Sequence, residues 1–209
     1  MFYKTSEPHG LSHNPFNGLV VPRPIGWISS MDKDGNVNLA PYSFFNAVSY
    51  FPPHVMFSAT GPHTNDEGPK DSVRNIIETG EFVHNMATWD LREAVNISAV
   101  AAPHGVDEFE VAGLEKAPSE LVAPPRVKAS PVHFECKLVK VVDLPATQPG
   151  GSNTVVFGEV LGIHIDDGAI IDGKVDIGRL NPISRLGYRD FGLTDGVFEM
   201  LRPDWPIAD

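Results

Sequence analysis

The chain has 209 residues, of which 42% are hydrophobic and 21% charged, so it is long enough for one globular domain with a sizeable core. Its formal net charge of −11 argues against unassisted binding to nucleic acid or to an anionic membrane, because the phosphate groups of either would repel it. No apolar run is long enough for a transmembrane helix, and the N-terminal residues lack the apolar core of a secretory signal. We therefore expect a cytoplasmic protein. Cys136 is the only cysteine, which makes an intrachain disulfide impossible.

The N-terminal segment, residues 1–19, is predicted to form an extended arm, because proline and glycine residues interrupt any regular period. His9 and His13 are four residues apart, as two metal ligands on a helix would be. The prolines and the glycine around them make a helix unfavourable, so no metal site is predicted.

Residues 20–60 contain short apolar runs separated by residues typical of tight reversals, which predicts consecutive β-strands at residues 25–29, 44–48 and 55–57. Asp34-Gly35 suits a hairpin turn, because glycine adopts a positive φ without a steric penalty, and Pro52-Pro53 cannot donate within a central strand. Between them, residues 38–43 do not alternate cleanly. Such a segment leaves backbone groups without strand partners, and a ligand would then supply them.

The polar loop at residues 61–72 has the composition of a P-loop but not its spacing. A P-loop needs four residues between its glycines, whereas six separate Gly61 from Gly68. Pro69 and Asp71 also interrupt the sequence that would have to follow. A nucleoside triphosphate site is therefore excluded.

The same loop leads to a predicted helix over residues 73–79, which ends at Gly80. Lys70 and Ser72 then lie at the helix N-terminus, where unpaired amides and the helix dipole favour an anion. The alternative is that Asp71 or Ser72 caps the helix while Lys70 is solvated.

Residues 99–130 are rich in proline, glycine and acidic residues, which predicts an insertion that covers a site or a partner surface. We expect one short helix in it, at residues 119–122. Before it, Asp90 and Glu93 form a capping box for a further helix. The acidic neighbours of His104 lack the spacing of a metal site and predict a solvated face.

Three further segments alternate as β-strands do, at residues 81–86, 131–143 and 154–165. The two long ones are predicted to pair antiparallel as neighbours. Gly158 and Gly162 predict a bulge or sharp curvature, which closing a sheet into a barrel requires. The aspartate-rich turns at residues 166–176 lack the ligand spacing of an EF-hand, so calcium is not predicted.

Taken together, these segments resemble the flavin reductase-like proteins of the FMN-binding split barrel fold. The similarity spans roughly residues 20–190 and is carried by R-P-I-G-W-I-S at 23–29, Asp34-Gly35, N-L-A-P-Y-S-F-F-N at 38–46, Ser49 with Pro52-Pro53, P-K-D-S at 69–72, G-E-F-V at 80–83 and G-E-V at 158–160. It implies a mainly β fold with peripheral helices, in which a six-stranded antiparallel split barrel covers residues 20–195 and includes the insertion. Residues 1–19 and 196–209 would form an N-terminal arm and a C-terminal tail. The resemblance also implies a homodimer with FMN in a groove near the dimer interface.

The resemblance further implies a set of flavin-binding residues. Backbone groups of residues 38–43 would hold the edge of the isoalloxazine ring, while Lys70, Asp71 and Ser72 would lie at the phosphate. The full set is Trp27, Ser29, Asn38, Leu39, Ala40, Pro41, Tyr42, Ser43, Ser58, Lys70, Asp71, Ser72, Asn85 and Tyr188.

Several of these residues have a structural alternative. Trp27 and Tyr42 either flank the ring or pack in the barrel core. Asn85 either contacts the flavin or forms a turn. Tyr188 stands where the closing Arg-Leu-Gly-Gly motif of the family has its second glycine, which makes the backbone there less permissive. It either approaches the flavin or packs, with Phe191, over the barrel end.

Flavin carries the reaction chemistry, so no catalytic dyad is required and no catalytic residue is predicted. Members of the family use NAD(P)H to reduce flavin, which is often passed to a separate monooxygenase. Shorter members carry Gly-Asp-His before the Gly-Glu-Val strand, whereas this chain has Gly151-Ser152-Asn153, and asparagine offers no imidazole. Two interpretations stay open: an FMN-dependent NAD(P)H:flavin oxidoreductase, or an FMN-binding module that stores or shields flavin without nicotinamide turnover.

Overall fold

The computed structural model describes residues 1–61, 68–147, 151–194 and 196–205, and over these ranges the chain is mainly β. The strands are β1 (Arg23–Pro24), β2 (Gly26–Met31), β3 (Val37–Tyr42), β4 (Phe45–Tyr50), β5 (Pro53–Thr60), β6 (Glu81–Met86), β7 (Lys116–Ala117), β8 (Arg126–Val127), β9 (Val132–Leu144), β10 (Asn153–Ile165), β11 (Ile170–Ile171), β12 (Lys174–Val175), β13 (Ile183–Arg185) and β14 (Phe191–Leu193). The helices are α1 (Phe16–Leu19), α2 (Asp71–Thr79), α3 (Arg92–Ile97), α4 (Glu108–Val111) and α5 (Ile177–Leu180), with a 3-10 turn at Asp167–Ala169. None of the described helices is long and apolar enough to cross a membrane.

The main sheet is antiparallel and has seven strands in the order β3-β2-β6-β9-β10-β5-β4. Its two edge strands, β3 and β4, follow one another in the chain and are joined only by Ser43 and Phe44. The sheet therefore curls until its edges meet at this junction, where the Ser58 amide of β5 donates to the Phe44 carbonyl at 2.8 Å.

The strand count differs from the six that the resemblance implied, so the six-stranded barrel is not confirmed. The additional strand is β3, which occupies the segment predicted to be irregular. An edge strand needs partners on one side only, so the proline and the small residues of this segment do not prevent it from pairing with β2.

The strands β2 and β3 separate two apolar clusters, because successive side chains of a strand point to opposite faces. Ile28 packs inside the curled sheet with Phe57 and Phe82, whereas its neighbour Trp27 packs outside with Phe109 of α4. Both faces of β2 are thus covered, which explains why its sequence is almost entirely buried.

The long strands β9 and β10 pair antiparallel as predicted, and their register shifts at Phe157/Gly158 and at Val160/Gly162. The predicted bulges are therefore confirmed. Gly158 is needed for a second reason: a Cβ there would lie 2.4 Å from the ring of Phe82.

Two local predictions are wrong. Residues 119–122 form no helix; instead the buried carboxylate of Glu135 accepts hydrogen bonds from the amides of Glu120 and Leu121, at 2.8 and 2.6 Å. The expected capping box of Asp90 and Glu93 does not form: α3 begins one residue later, with Leu91 at the N-cap and no side-chain cap among the described residues. The helix α2 does end as expected, because Gly80 adopts a left-handed φ of 80°.

Candidate functional site

The outer edge of β3 has no strand partner among the described residues, and it borders a groove. The Leu39 amide points away from β2 and donates to Oε2 of Glu108 at 2.9 Å. Because backbone direction alternates along a strand, Pro41 also faces outward, where its missing N–H breaks no sheet hydrogen bond. The edge beyond Leu39 is therefore open to a ligand.

A cavity of about 180 Å³ lies against this edge. Its walls come from β3, the start of α2, the start of α4 and residues 98–102. These last residues begin a segment without regular structure, residues 98–106, that we call the strap. The lining residues are Asn38, Ala40, Pro41, Tyr42, Lys70, Asp71, Ser98, Ala99, Val100, Ala101, Ala102 and Glu108.

Lys70 is the cation of this first cavity. It occupies the N-cap of α2, and its ammonium lies 5.9 Å from the centroid of the Tyr42 ring. Burial lowers the pKa of Lys70, and none of the ion pairs within the described ranges involves it. A half-buried ammonium without a carboxylate partner is a costly arrangement unless an anion occupies the cavity.

The carboxylates of the first cavity do have partners. Asp71 accepts from His104 at 2.9 Å and pairs with Arg74 at 3.0 Å. Glu108 holds the Leu39 amide, and burial raises its pKa. Burial also raises the pKa of Tyr42 to about 12, so its hydroxyl stays protonated at neutral pH.

A second cavity of about 440 Å³ adjoins the first, since Pro41 and Ala99 line both. It contains two guanidinium groups and several aromatic rings, and none of the described residues that line it is acidic. The lining residues are His13, Asn14, Asn17, Arg23, Ile25, Pro41, Ser43, Val95, Asn96, Ala99, Arg185, Tyr188 and Phe191.

The two arginines of the second cavity are held in place by the backbone and by an aromatic ring. Arg23 donates to the carbonyls of Val20 and Leu186 at 2.6 and 2.9 Å, and burial followed by repulsion from Arg185 lowers its pKa. The guanidinium of Arg185 lies 4.5 Å from the centroid of the Phe191 ring.

Tyr188 lies at the mouth of the second cavity with a φ of 55°, in the left-handed region that glycine normally occupies. The chain thus keeps the backbone shape of a glycine while presenting an aromatic ring. The preceding Gly187 cannot be replaced by a larger residue without a shift of the backbone, because a Cβ there would lie 2.9 Å from Cα of Gly18.

Eight of the fourteen predicted site residues line the two cavities. They are Asn38, Ala40, Pro41, Tyr42, Ser43, Lys70, Asp71 and Tyr188. The other six do not line either cavity: Trp27, Ser29, Leu39, Ser58, Ser72 and Asn85. Residues 62–67, which belong to the loop predicted to carry the phosphate site, lie outside the described residues.

The buried members of the second group have structural partners. The Trp27 indole donates to Ser98 at 2.9 Å, and the Asn85 amide joins β2 to β8 by donating to the Trp27 carbonyl and accepting from Val127. Ser72 accepts from Asn38 at 2.7 Å and so supports a residue of the first cavity from behind.

Several lining residues were absent from the predicted set. Residues 99–102 line the first cavity, and their signal was the prediction that the insertion covers a site. Arg185 and Phe191 line the second cavity, and their signal was the resemblance of this segment to the family's closing motif, although neither was in the predicted set. Asn153 lines neither cavity, and its amide donates to the Pro145 carbonyl at 3.1 Å.

Comparisons with known proteins agree with this architecture. The family model described as flavin reductase like domain matches residues 18–177. An uncharacterized protein of Aquifex aeolicus is 44% identical over 172 residues, covering 81% of this chain and 83% of the relative. Nitrilotriacetate monooxygenase component B from Bacillus cereus is 31% identical with a TM-score of 0.81, covering 93% of this chain and 100% of that one. A Shewanella frigidimarina protein with a split barrel domain, 21% identical, shares the fold with a TM-score of 0.81, covering 97% of this chain and 99% of that one. The chain belongs to the flavin reductase-like family.

Proposed function

We propose that the chain binds FMN in the first cavity and catalyses flavin reduction by NAD(P)H. The observation that carries the proposal is Lys70, a half-buried ammonium without a carboxylate partner among the described residues, at the N-terminus of α2 and beside the free edge of β3. Such a donor set fits a phosphate group, because the lysine charge and the helix dipole both attract an anion.

The residues of the groove would divide the binding of FMN between them. Lys70 and the first amides of α2 would hold the phosphate, and the outward backbone groups of residues 40–43 would hold the ring edge. The Tyr42 hydroxyl is protonated at neutral pH and therefore places no negative charge beside the phosphate. Bound FMN supplies the hydride and electron transfer; the chain's residues bind it, orient it and exclude water.

The second cavity supports a nicotinamide nucleotide as the reductant. Guanidinium groups suit phosphates, and Arg23 and Arg185 provide two in a chain whose net charge is −11. Tyr188 and Phe191 offer ring faces on which a base or nicotinamide would stack. The cavity adjoins the proposed flavin site at Pro41, which would bring donor and acceptor together.

One observation favours a second candidate, a module that stores or shields FMN. Asn153 offers no imidazole and lies away from both cavities. Purified protein with added FMN separates the candidates. Flavin absorbance that stays with the protein after gel filtration, and bleaches anaerobically on addition of NADH or NADPH, supports the reductase. Bound flavin that neither nucleotide bleaches would support the storage module instead.

We also propose that the chain forms a homodimer and passes electrons to an oxygenase partner. Five of the six residues of β4 are exposed, and with Phe51 beyond it this edge presents Val48 and Tyr50 to solvent. The Bacillus cereus relative is named as a component of a monooxygenase, which supports the choice of acceptor. Native mass measurement tests the dimer: a monomer at micromolar concentration would contradict it.

A further inference from the structure

The strap, residues 98–106, is attached to the sheet near its two ends. At its start, the Ser98 hydroxyl accepts from the Trp27 indole and donates to the Val95 carbonyl. Just beyond its end, the Glu108 carboxylate accepts from the Leu39 amide of β3. Both anchors are buried, so the ends of the strap are fixed while the stretch between them forms a wall of the first cavity.

Between these anchors the strap is loosely held. Its backbone hydrogen bonds are local, as from Ala99 to Asn96, from Val100 to Ile97 and from Val106 to Pro103. Most of its residues are exposed. Within the described ranges, one side chain joins this stretch to a distant part of the chain, and that side chain is His104.

His104 lies between two carboxylates that are themselves fixed. Its Nδ1 is 2.9 Å from Oδ1 of Asp71, and its Nε2 is 3.6 Å from Oδ2 of Asp32. Both carboxylates are more than nine-tenths buried. Asp32 also accepts from the amides of Asp34 and Asn36, at 2.9 and 2.8 Å, and Asp71 pairs with Arg74. An exposed segment with local backbone hydrogen bonds is therefore joined to two fixed carboxylates through one imidazole.

We propose that His104 is a positioning residue that latches the strap over the first cavity and thereby slows the release of the phosphorylated ligand. Asp71, which accepts the hydrogen bond from His104, directly follows Lys70 and lines the same cavity. The latch therefore closes the end of the cavity at which an anion would bind. The ligand identity rests on the proposed function. The latch itself is a property of the protein without flavin.

The latch is tested first in flavin-free protein, with two substitutions. In His104→Leu the strap offers Asp71 no donor, although Arg74 still pairs with it, whereas in His104→Asn the side-chain amide takes the place of Nδ1 and keeps the hydrogen bond between the strap and Asp71. Thermolysin cleaves before aliphatic residues, and the strap offers Val100 and Val106. We expect His104→Leu to be cut within the strap about fivefold faster than wild type, with His104→Asn close to wild type and unfolding midpoints in urea unchanged. Equal cleavage of His104→Leu and wild type would overturn the latch.

The second measurement is the FMN dissociation rate, followed by flavin fluorescence after dilution. We expect His104→Leu to release FMN about fivefold faster, since a half-exposed hydrogen bond to a charged group contributes at the lower end of its usual range, and His104→Asn to stay within about twofold of wild type. Unchanged release from His104→Leu overturns the latch. Wild-type protein that takes up no FMN contradicts the proposed function instead, and the cleavage result then decides the latch alone.

Discussion

The inside of the curled sheet and the groove along its outer edge are built in opposite ways. Inside, rings and aliphatic side chains fill the space so closely that a single Cβ at Gly158 has no room. In the groove, the described residues offer no carboxylate to the Lys70 ammonium and no partner strand to the outer edge of β3, and between its anchored ends the strap is held by the His104 imidazole. Substitutions inside the curled sheet should therefore change the free energy of unfolding, whereas substitutions in the groove should change ligand binding.

The sharpest test of the close packing is Gly158→Ala. The new methyl group would lie 2.4 Å from the ring of Phe82, which is fully buried and cannot move aside, so we expect a loss of about 3 kcal/mol in the free energy of unfolding. Gly162→Ala is the matched control, since its methyl would meet the flexible, exposed end of Leu121 at 3.1 Å. Urea titrations measure both. Equal losses would mean that the strand itself, and not the packed interior, rejects the methyl group.

The groove is tested by Lys70→Ala. If the ammonium pairs with the FMN phosphate, its removal should weaken FMN binding by about 2 kcal/mol, which is roughly thirtyfold, without lowering the unfolding midpoint of the flavin-free protein, because the unpaired ammonium is itself costly to bury. Lys128→Ala is the control, because that lysine is exposed and pairs with Glu115 away from either cavity. Fluorescence titration measures the affinities. An affinity of Lys70→Ala equal to that of wild type would show that Lys70 does not pair with the FMN phosphate.

The interior also predicts a dependence of stability on pH. Burial lowers the pKa of His84 to about 3, and its ring lies between those of Phe45 and Phe134, with centroids 4.4 and 5.0 Å away. In the unfolded chain a histidine takes up a proton near pH 6.5. Between that pH and about 3 the unfolded state therefore binds the extra proton, and stability falls as the pH falls. The contribution of His84 is about 1.4 kcal/mol for each pH unit.

The substitution His84→Phe keeps an aromatic ring in the stack and removes the titrating group. Urea titrations between pH 6.5 and 5 should then show a shallower loss of stability than in wild type. Identical slopes for His84→Phe and wild type would show that His84 is protonated in the folded protein. His133, whose pKa burial lowers to about 4, would account for the slope that remains.

The parts of the molecule that were predicted correctly depend on neighbours in sequence. The alternation along β9 and β10 arises because one face of each strand is covered, and the position of Lys70 at a helix N-terminus follows from the helical pattern of the residues after it. Predictions that depended on distant residues failed. β3 was taken as irregular because the sequence does not show which strand lies at an edge, and residues 119–122 were taken as helical because Glu135, which binds their amides, follows later in the chain.

His104 illustrates the same limit within the candidate site. Its neighbours Asp107, Glu108 and Glu110 predicted a solvated acidic face, but the carboxylates that it meets are Asp32 and Asp71, which come from the β2–β3 turn and from α2. No local pattern relates these positions. Contacts between residues that are far apart in the sequence produce no periodic pattern from which they could be predicted.

The junction at Ser43 and Phe44 has a practical consequence for engineering. These two residues join the edge strands β3 and β4, and Ser43 also lines the second cavity. An added residue there would change the second cavity and would also move β3 and β4 apart. Ligand binding and the curvature of the sheet therefore cannot be altered separately at this point. Loop grafts intended to change ligand preference should begin instead at the Asp34-Gly35 hairpin or along the exposed strap, where lengthening the chain leaves the junction of β3 and β4 unchanged.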